Sequence, residues 1–288
     1  MRLTIASGKG GTGKTLVSTN LSCVLEQRGV SVTYVDADVE APNGDLFLSP
    51  ADLMIEEVTV PTPALRAERC HGHAKCQEIC AFNAILAAKG NIVVFDELCH
   101  SCGACRLACP DNALVERPRL IGEIRRGVAA GIRFLGGRLN IGEARAVPLI
   151  AALLDRLDPR GREEGVIIVD APPGVACSAV EAVKGADMVL LVTEPTPFGC
   201  HDLALAVEMC RAVEVTPAAV INRCDLGDRE IYHLLERLSV PILAEIPFER
   251  TIASAYAGSR LAYDQSETLR RALEAVADTL LQRWDGMR

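Results

Sequence analysis

Gly8-Lys9-Gly10-Gly11-Thr12-Gly13-Lys14-Thr15 has the spacing G-x-x-x-x-G-K-[ST], and this octapeptide decides how the rest of the chain is read. Its glycines keep side chains out of the way, so successive backbone N–H groups turn inward around phosphate oxygens. Lys14 adds a point charge for the β- and γ-phosphates, and Thr15 a hydroxyl for Mg2+. The flanking sequence supplies the context the motif needs. Residues 2–6 (Arg-Leu-Thr-Ile-Ala) read as a short buried strand, and residues 14–28 as a helix carrying Leu16, Leu21, Val24 and Leu25. The loop thus lies between a strand and a helix N-terminus, where an anion is stabilised.

Outward from the loop, the pattern repeats strand, turn and helix. Residues 31–35 (Ser-Val-Thr-Tyr-Val) form a second strand that delivers Asp36 and Asp38 at its carboxyl end, the edge where ligands sit in doubly wound sheets. Acidic groups beside a triphosphate either hold Mg2+ through water or orient the attacking water. Residues 165–170 (Gly-Val-Ile-Ile-Val-Asp) are a continuous apolar strand ending in Asp170, which suits a carboxylate on the magnesium shell. Gly174 follows and can turn its N–H toward a γ-phosphate, so that loss of the phosphate releases the loop. Further buried strands are read at 188–192, 218–222 and 241–247, the second closing on Asn222. The expected fold is α/β, a mostly parallel, doubly wound P-loop NTPase sheet.

Two spellings go further. Lys9 is a second lysine near the start of the loop, and residues 170–174 read Asp-Ala-Pro-Pro-Gly. Together they resemble the deviant Walker A and switch II of the MinD/ParA-type ATPases. That resemblance implies ATP and Mg2+ as ligands and low-turnover hydrolysis. It also implies an ATP-sandwich dimer in which Lys9 reaches the partner's nucleotide, either a homodimer or a pairing with a similar ATPase. It assigns Asp38 to water activation, Asp36 with Thr15 and Asp170 to the magnesium shell, and Asn222 to the adenine. The phosphate cradle is then Gly8 to Thr15, with Lys9, Lys14 and Asp38 as the catalytic set.

The chain has 288 residues, 49% hydrophobic and 24% charged, which suits one α/β core plus something smaller. A net charge of -8 argues against a sequence-independent grip on nucleic acid, which needs a basic face. No charged-then-apolar leader precedes the first strand and no apolar run approaches a membrane span, so a cytoplasmic location is expected. In a reducing compartment, the crowding of seven of the twelve cysteines between residues 70 and 109 means metal rather than disulfide.

Those seven fall in a self-repeat. Cys70, His73, Cys76 and Cys80 each stand 29 residues before Cys99, Cys102, Cys105 and Cys109, and residues 81–85 lie over 110–114 in the same register. Such a duplication folds as two halves related by a pseudo-twofold axis. The second copy spells C-x2-C-x2-C-x3-C-P and resembles the bacterial two-cluster ferredoxins, in which the fourth cysteine of each copy ligates the other copy's cluster. One [4Fe-4S] cluster then falls to Cys99, Cys102, Cys105 and Cys80. Zinc would use two close cysteine pairs and leave the repeated x3-C without a purpose. The other set would be Cys70, Cys76 and Cys109, with His73 where the repeat has a cysteine. There the fourth ligand is imidazole or nothing, and the cluster [4Fe-4S] or [3Fe-4S]. His71 breaks the register and reads as an exposed loop residue.

These readings divide the chain into residues 1–61 and 119–288, the ATPase domain, and 62–118, an inserted small α+β ferredoxin-like domain with Pro61-Thr-Pro63 at its border. Residues 120–124 and 131–135 look like a hairpin, Gly136-Gly137 a turn, residues 149–157 a helix, and Pro159 to Gly161 the link back to the sheet. The last helix, about 266–284, carries Leu269, Leu273, Val276, Leu280 and Trp284 on one face with balanced charges, which suits docking on the sheet rather than on a membrane. Cys177 and the remaining cysteines read as packed thiols. Two functions stay open. One is an ATP-driven factor for metallocluster assembly or electron delivery to an iron–sulfur or metallocluster client. The other is a redox-sensing regulatory or positioning ATPase that uses the insert to bind partners. ATP-driven amide chemistry on the shared P-loop core is a third and weaker reading, since no glutaminase-like domain is visible.

Overall fold

The computed structural model describes residues 1–88, 91–157 and 165–287. In chain order its strands are β1 (Arg2–Ala6), β2 (Val32–Asp36), β3 (Ala51–Leu65), β4 (Ile85–Ala88), β5 (Asn91–Val94), β6 (Leu114–Ala129), β7 (Ile132–Leu139), β8 (Val166–Asp170), β9 (Met188–Thr193), β10 (Pro217–Asn222) and β11 (Ile242–Ile246). The helices are α1 (Lys14–Gln27), α2 (Gly44–Leu48), α3 (Lys75–Glu78), α4 (Ala104–Ala108), α5 (Val147–Leu154), α6 (Cys177–Val183), α7 (Pro197–Ala212), α8 (Glu230–Arg237), α9 (Arg250–Ala257) and α10 (Glu267–Met287).

One nine-stranded sheet runs in the order β11-β10-β9-β1-β8-β2-β7-β6-β3. Pairing is parallel from β11 across to β7, and β6 is antiparallel to both of its neighbours. Successive residues of a strand face opposite sides, so each buried strand feeds two cores. Leu3, Ile5, Tyr34, Ile168 and Leu190 pack with Leu21 and Leu25 of α1 and with Leu269, Leu273, Val276 and Leu280 of α10. Val35, Val169, Val189 and Leu191 pack on the other side with α5, α6, α7 and α8. The apolar face of α10 is therefore core, as its charge balance suggests. Among the described residues no helix is long and apolar enough to cross a membrane.

One boundary reading is corrected. Gly136-Gly137 is not a turn but lies inside β7, opposite Arg125 and Ile124. A Cβ on Gly137 would come within 2.6 Å of Val39, so the strand needs glycine there to admit the loop after β2. The hairpin turn falls instead at Ala130-Gly131, both with positive φ. Pro61-Thr-Pro63, at the border of the insert, falls within a strand and not in a gap between elements. It sits in edge strand β3, whose ladder with β6 continues to Leu65↔Leu114 and sets Pro61 opposite Pro118. An edge strand tolerates prolines because a missing N–H leaves no interior bond unmade. The link read through Pro159 and Gly161 lies outside the described residues.

At the far end of the β3–β6 ladder, the described residues between 66 and 113 fold twice in the same way. Arg66 N donates to Ala113 O at 2.8 Å, and 29 residues on, Phe95 N donates to Ala84 O at 2.8 Å. The α3 and α4 starts, Lys75 and Ala104, keep the same offset. So do the N–H···S contacts from Ala84 to Cys80 and from Ala113 to Cys109, both 3.3 Å. The β4–β5 pair Ile85↔Val94 reproduces Leu65↔Leu114 with the copies exchanged. The duplication in the sequence is thus a pseudo-twofold in space.

Candidate nucleotide site and thiolate clusters

The carboxyl ends of β1, β2, β8 and β10 converge, because parallel neighbours must end on the same sheet edge. The loop after β1 turns with Gly11 at φ 81° and Gly13 at φ 100°, values that favour glycine. Gly8 is needed for another reason: a Cβ there would stand 2.1 Å from the Asp202 carbonyl oxygen of α7. Gly8→Ala is expected to lower the stability of the nucleotide-free protein by about 1–3 kcal/mol through overpacking, read as a lower thermal midpoint. Lys14 begins α1 and is buried.

A cavity of about 330 Å3 opens over this loop, with Gly10, Gly11, Gly13, Lys14 and Thr15 at one end and Asp38 beside them. Asn222, Arg223, Pro247, Phe248, Ile252 and Tyr256 also line it. A volume of several hundred Å3 with both polar and apolar lining suits a phosphorylated ligand with a flat base. The sequence reading missed the apolar wall, since Phe248 and Tyr256 join it only through the packing of α9. Asn222 lines the cavity, but its Nδ2 also donates to Thr12 O at 2.8 Å and its Oδ1 accepts from Arg223 N, leaving one donor and one acceptor lone pair for a base.

The three acidic residues divide sharply. Asp170 is buried; its Oδ2 accepts from Ser18 Oγ at 3.0 Å and from Tyr34 OH at 3.1 Å, and its Oδ1 has no partner. Burial raises this carboxyl, while Lys14 and the hydroxyls of Thr15, Ser18 and Tyr34 pull it back. An orphaned carboxylate oxygen beside Thr15 fits a magnesium shell, in which Thr15 and Asp170 would hold the ion and the ion would offset phosphate charge. Asp38 is pushed up to about 6, first by burial, with Lys14 opposing and Asp170 adding to the rise.

Asp36 does not fit its expected magnesium role. Its Oδ2 accepts from Asn43 N (3.0 Å) and Gly44 N (2.8 Å), and its Oδ1 from Asp38 N (3.2 Å). It is fully buried, and burial, with Asp170 facing it on the next strand, raises it well above the carboxylate range. Asp36 therefore braces the loop that presents Asp38. The Gly174 N–H donates to Ser7 O at 2.9 Å. Lys9 stands outside the cavity lining, 3.9 Å from Glu194 Oε2, and Glu194 also meets Arg223. Cys177, expected to pack, is exposed as the first residue of α6.

The thiols gather in two groups that cross the repeat. Cys80 of the first copy shares one cavity with Cys99, Cys102 and Cys105 of the second. In the other half Cys76 is raised first by burial, with Cys109 and Cys70 adding to the rise. His73 meets Asp111 of the second copy, two residues from Cys109. Its Nε2 lies 3.2 Å from Asp111 Oδ2.

The two regions are linked through residues 139–145, hydrogen-bonded at each end. Leu139 N donates to Val39 O, next to Asp38, at 2.9 Å. A few residues on, Arg145 binds Glu143 (Nε–Oε1 3.0 Å) and donates to the carbonyl oxygen of Cys99. Glu143 also pairs with Arg119 of β6, and all three side chains are largely buried.

Residues 3–261 match the CobQ/CobB/MinD/ParA nucleotide binding domain. The chain belongs to this family. Within it, the chain is 25% identical over 282 residues to an uncharacterized protein of Methanocaldococcus jannaschii, covering 98% of each. It is 23% identical over 270 residues to an iron-sulfur cluster carrier protein of Pyrococcus horikoshii, covering 86% of this chain and 74% of that one. The solved septum site-determining protein MinD of Pyrococcus horikoshii, complexed with Mg-ADP, superposes with a TM-score of 0.60 at 20% identity, covering 97% and 95%. The likeness to that structure concerns the fold. Membership of a nucleotide-binding family agrees with the cavity over residues 10–15.

Proposed function

We propose that this CobQ/CobB/MinD/ParA-family protein binds ATP and Mg2+, hydrolyses ATP slowly, and couples that cycle to an iron–sulfur module in metallocluster assembly or electron delivery to a client. Residues 1–61 and 119–288 form the ATPase, and residues 62–118 the ferredoxin-like insert. One [4Fe-4S] cluster is held by Cys99, Cys102, Cys105 and Cys80. A second site uses Cys70, Cys76 and Cys109.

At the nucleotide, Lys14 and the N–H groups of residues 10–15 bind the phosphates, Asn222 and the apolar wall take the base, and Asp38 orients the attacking water. Lys9 lies clear of its own cavity, which supports the reading that it serves a facing subunit's nucleotide in a dimer. Hydrolysis releases the loop at Gly174, whose N–H has an alternative acceptor ready in Ser7 O.

The observation that carries the coupling is the route from Val39 through Leu139 and Arg145 to the Cys99 carbonyl. The loop beside Asp38 and the loop of the complete cysteine quartet thus share one support. The name of the Pyrococcus horikoshii relative, an iron-sulfur cluster carrier, points the same way.

Iron, zinc and acid-labile sulfide measured on anaerobically purified protein test this reading: iron and sulfide in near-equal amounts are expected, and zinc in their place overturns it. Asp38 gives a second check. The group must be ionised to orient water, so kcat/KM is expected to fall as pH drops through about 6 and to level off above it. The acid limb should be absent from the residual activity of Asp38→Asn. An unchanged limb in that variant would assign the ionisation elsewhere.

A further inference from the structure

The two halves of the cysteine repeat are capped by different chemistry. In the half with four cysteines, His100 stacks on Phe82, ring centroids 3.6 Å apart and planes 6° from parallel. The repeat relates His100 to His71 and Phe82 to Asp111, so the same pair of positions in the other half holds an imidazole and a carboxylate. There Asp111 Oδ2 lies 3.1 Å from His71 Nδ1 and 3.2 Å from His73 Nε2. His73 is itself the residue that replaces the fourth cysteine. Two of the chemical differences between the copies, histidine for cysteine and aspartate for phenylalanine, therefore face each other across the pseudo-twofold.

We propose that His71, His73 and Asp111 form a separate site for a divalent first-row transition ion such as Zn2+. Their ligand atoms all lie within 4.8 Å of one another. With bonds of about 2.0–2.1 Å, adjacent ligands of a tetrahedral ion stand roughly 3.3 Å apart, close to the two separations found. Two imidazoles and one carboxylate suit borderline divalent ions, and both rings are exposed enough (71% and 46%) to leave further coordination positions to water. The set occupies His73, so the neighbouring Cys70, Cys76 and Cys109 are left as a three-cysteine site. The cation site stands whether or not those thiolates hold iron.

Zn2+ binding by the full chain, purified anaerobically with its iron content measured first, tests this directly. Wild type is expected to take up one Zn2+ more than His71→Ala and Asp111→Asn, with affinity lowered at least tenfold in each variant. Asp111→Glu, which keeps the carboxylate, is expected to retain binding within a few-fold. Iron content should be equal in all four proteins. Equal Zn2+ uptake by wild type and both loss variants overturns the proposal. So does a loss of iron in His71→Ala or Asp111→Asn, which would place these residues at a cluster instead.

Discussion

Lys14→Ala is expected to slow ATP hydrolysis on the order of 100–1000-fold and to weaken nucleotide binding by about 10–100-fold. Lys14 is the buried cation that opposes the rise of both Asp38 and Asp170. Removing it takes away a charge-assisted contact to phosphate, about 1.5–3 kcal/mol. It also takes from Asp38 and Asp170 the positive charge that opposes their rise, so Asp38 rises further and is less ionised at neutral pH. Turnover then falls by more than binding does, on the order of 100–1000-fold, as for loss of a group that stabilises transition-state charge. Binding measured by calorimetry and turnover by phosphate release separate the two effects. Equal losses in both would remove Lys14 from catalysis, and an unchanged turnover would remove the nucleotide reading of the cavity.

The second large effect concerns Cys80. It lies in the first copy of the repeat yet shares its cavity with Cys99, Cys102 and Cys105 of the second. Cys80→Ser is therefore expected to match Cys102→Ser, each losing about four irons per chain from the complete cluster while the other site is kept. Cys76→Ser, in the same copy as Cys80, should leave the signal of the complete cluster unaltered. If Cys80→Ser instead matched Cys76→Ser, each copy would hold its own metal, and the crossed arrangement would be wrong.

Much of the nucleotide site was legible because its chemistry is local in sequence. Gly8 to Thr15 and the strand ending in Asp170 carry their own flanking strand or helix, and parallel pairing then brings them together. Asp36 was misread because its role depends on where residues 37–44 return: a carboxylate that accepts from Asp38, Asn43 and Gly44 N–H groups cannot be told by spacing from one facing magnesium. The apolar wall of Phe248 and Tyr256 left no motif, being a matter of how α9 docks. Gly136-Gly137 looked like a turn because a strand admits glycine pairs only when another chain comes close, and Val39 does.

The thiolate region divides in the same way. The 29-residue period divides the cysteines into two halves, and in space Cys80 of the first shares a cavity with Cys99, Cys102 and Cys105 of the second. Register places His73 beside the cysteines, and its contact with Asp111 of the other copy is one that no periodicity of one copy encodes. The route through Leu139 and Arg145 was equally hidden, since it joins loops distant in sequence by two backbone contacts and a largely buried ion cluster.

The central claim is that nucleotide state and cluster state are coupled, and a redox titration of the anaerobic protein followed by EPR, with and without Mg-ATP, addresses it most directly. Tenfold coupling, about 1.4 kcal/mol, reads as a midpoint shift of about 59 mV for one electron. A shift of that order in the signal lost by Cys102→Ser is the expected result. Superimposable titrations with and without Mg-ATP, in protein shown to bind nucleotide, would contradict it.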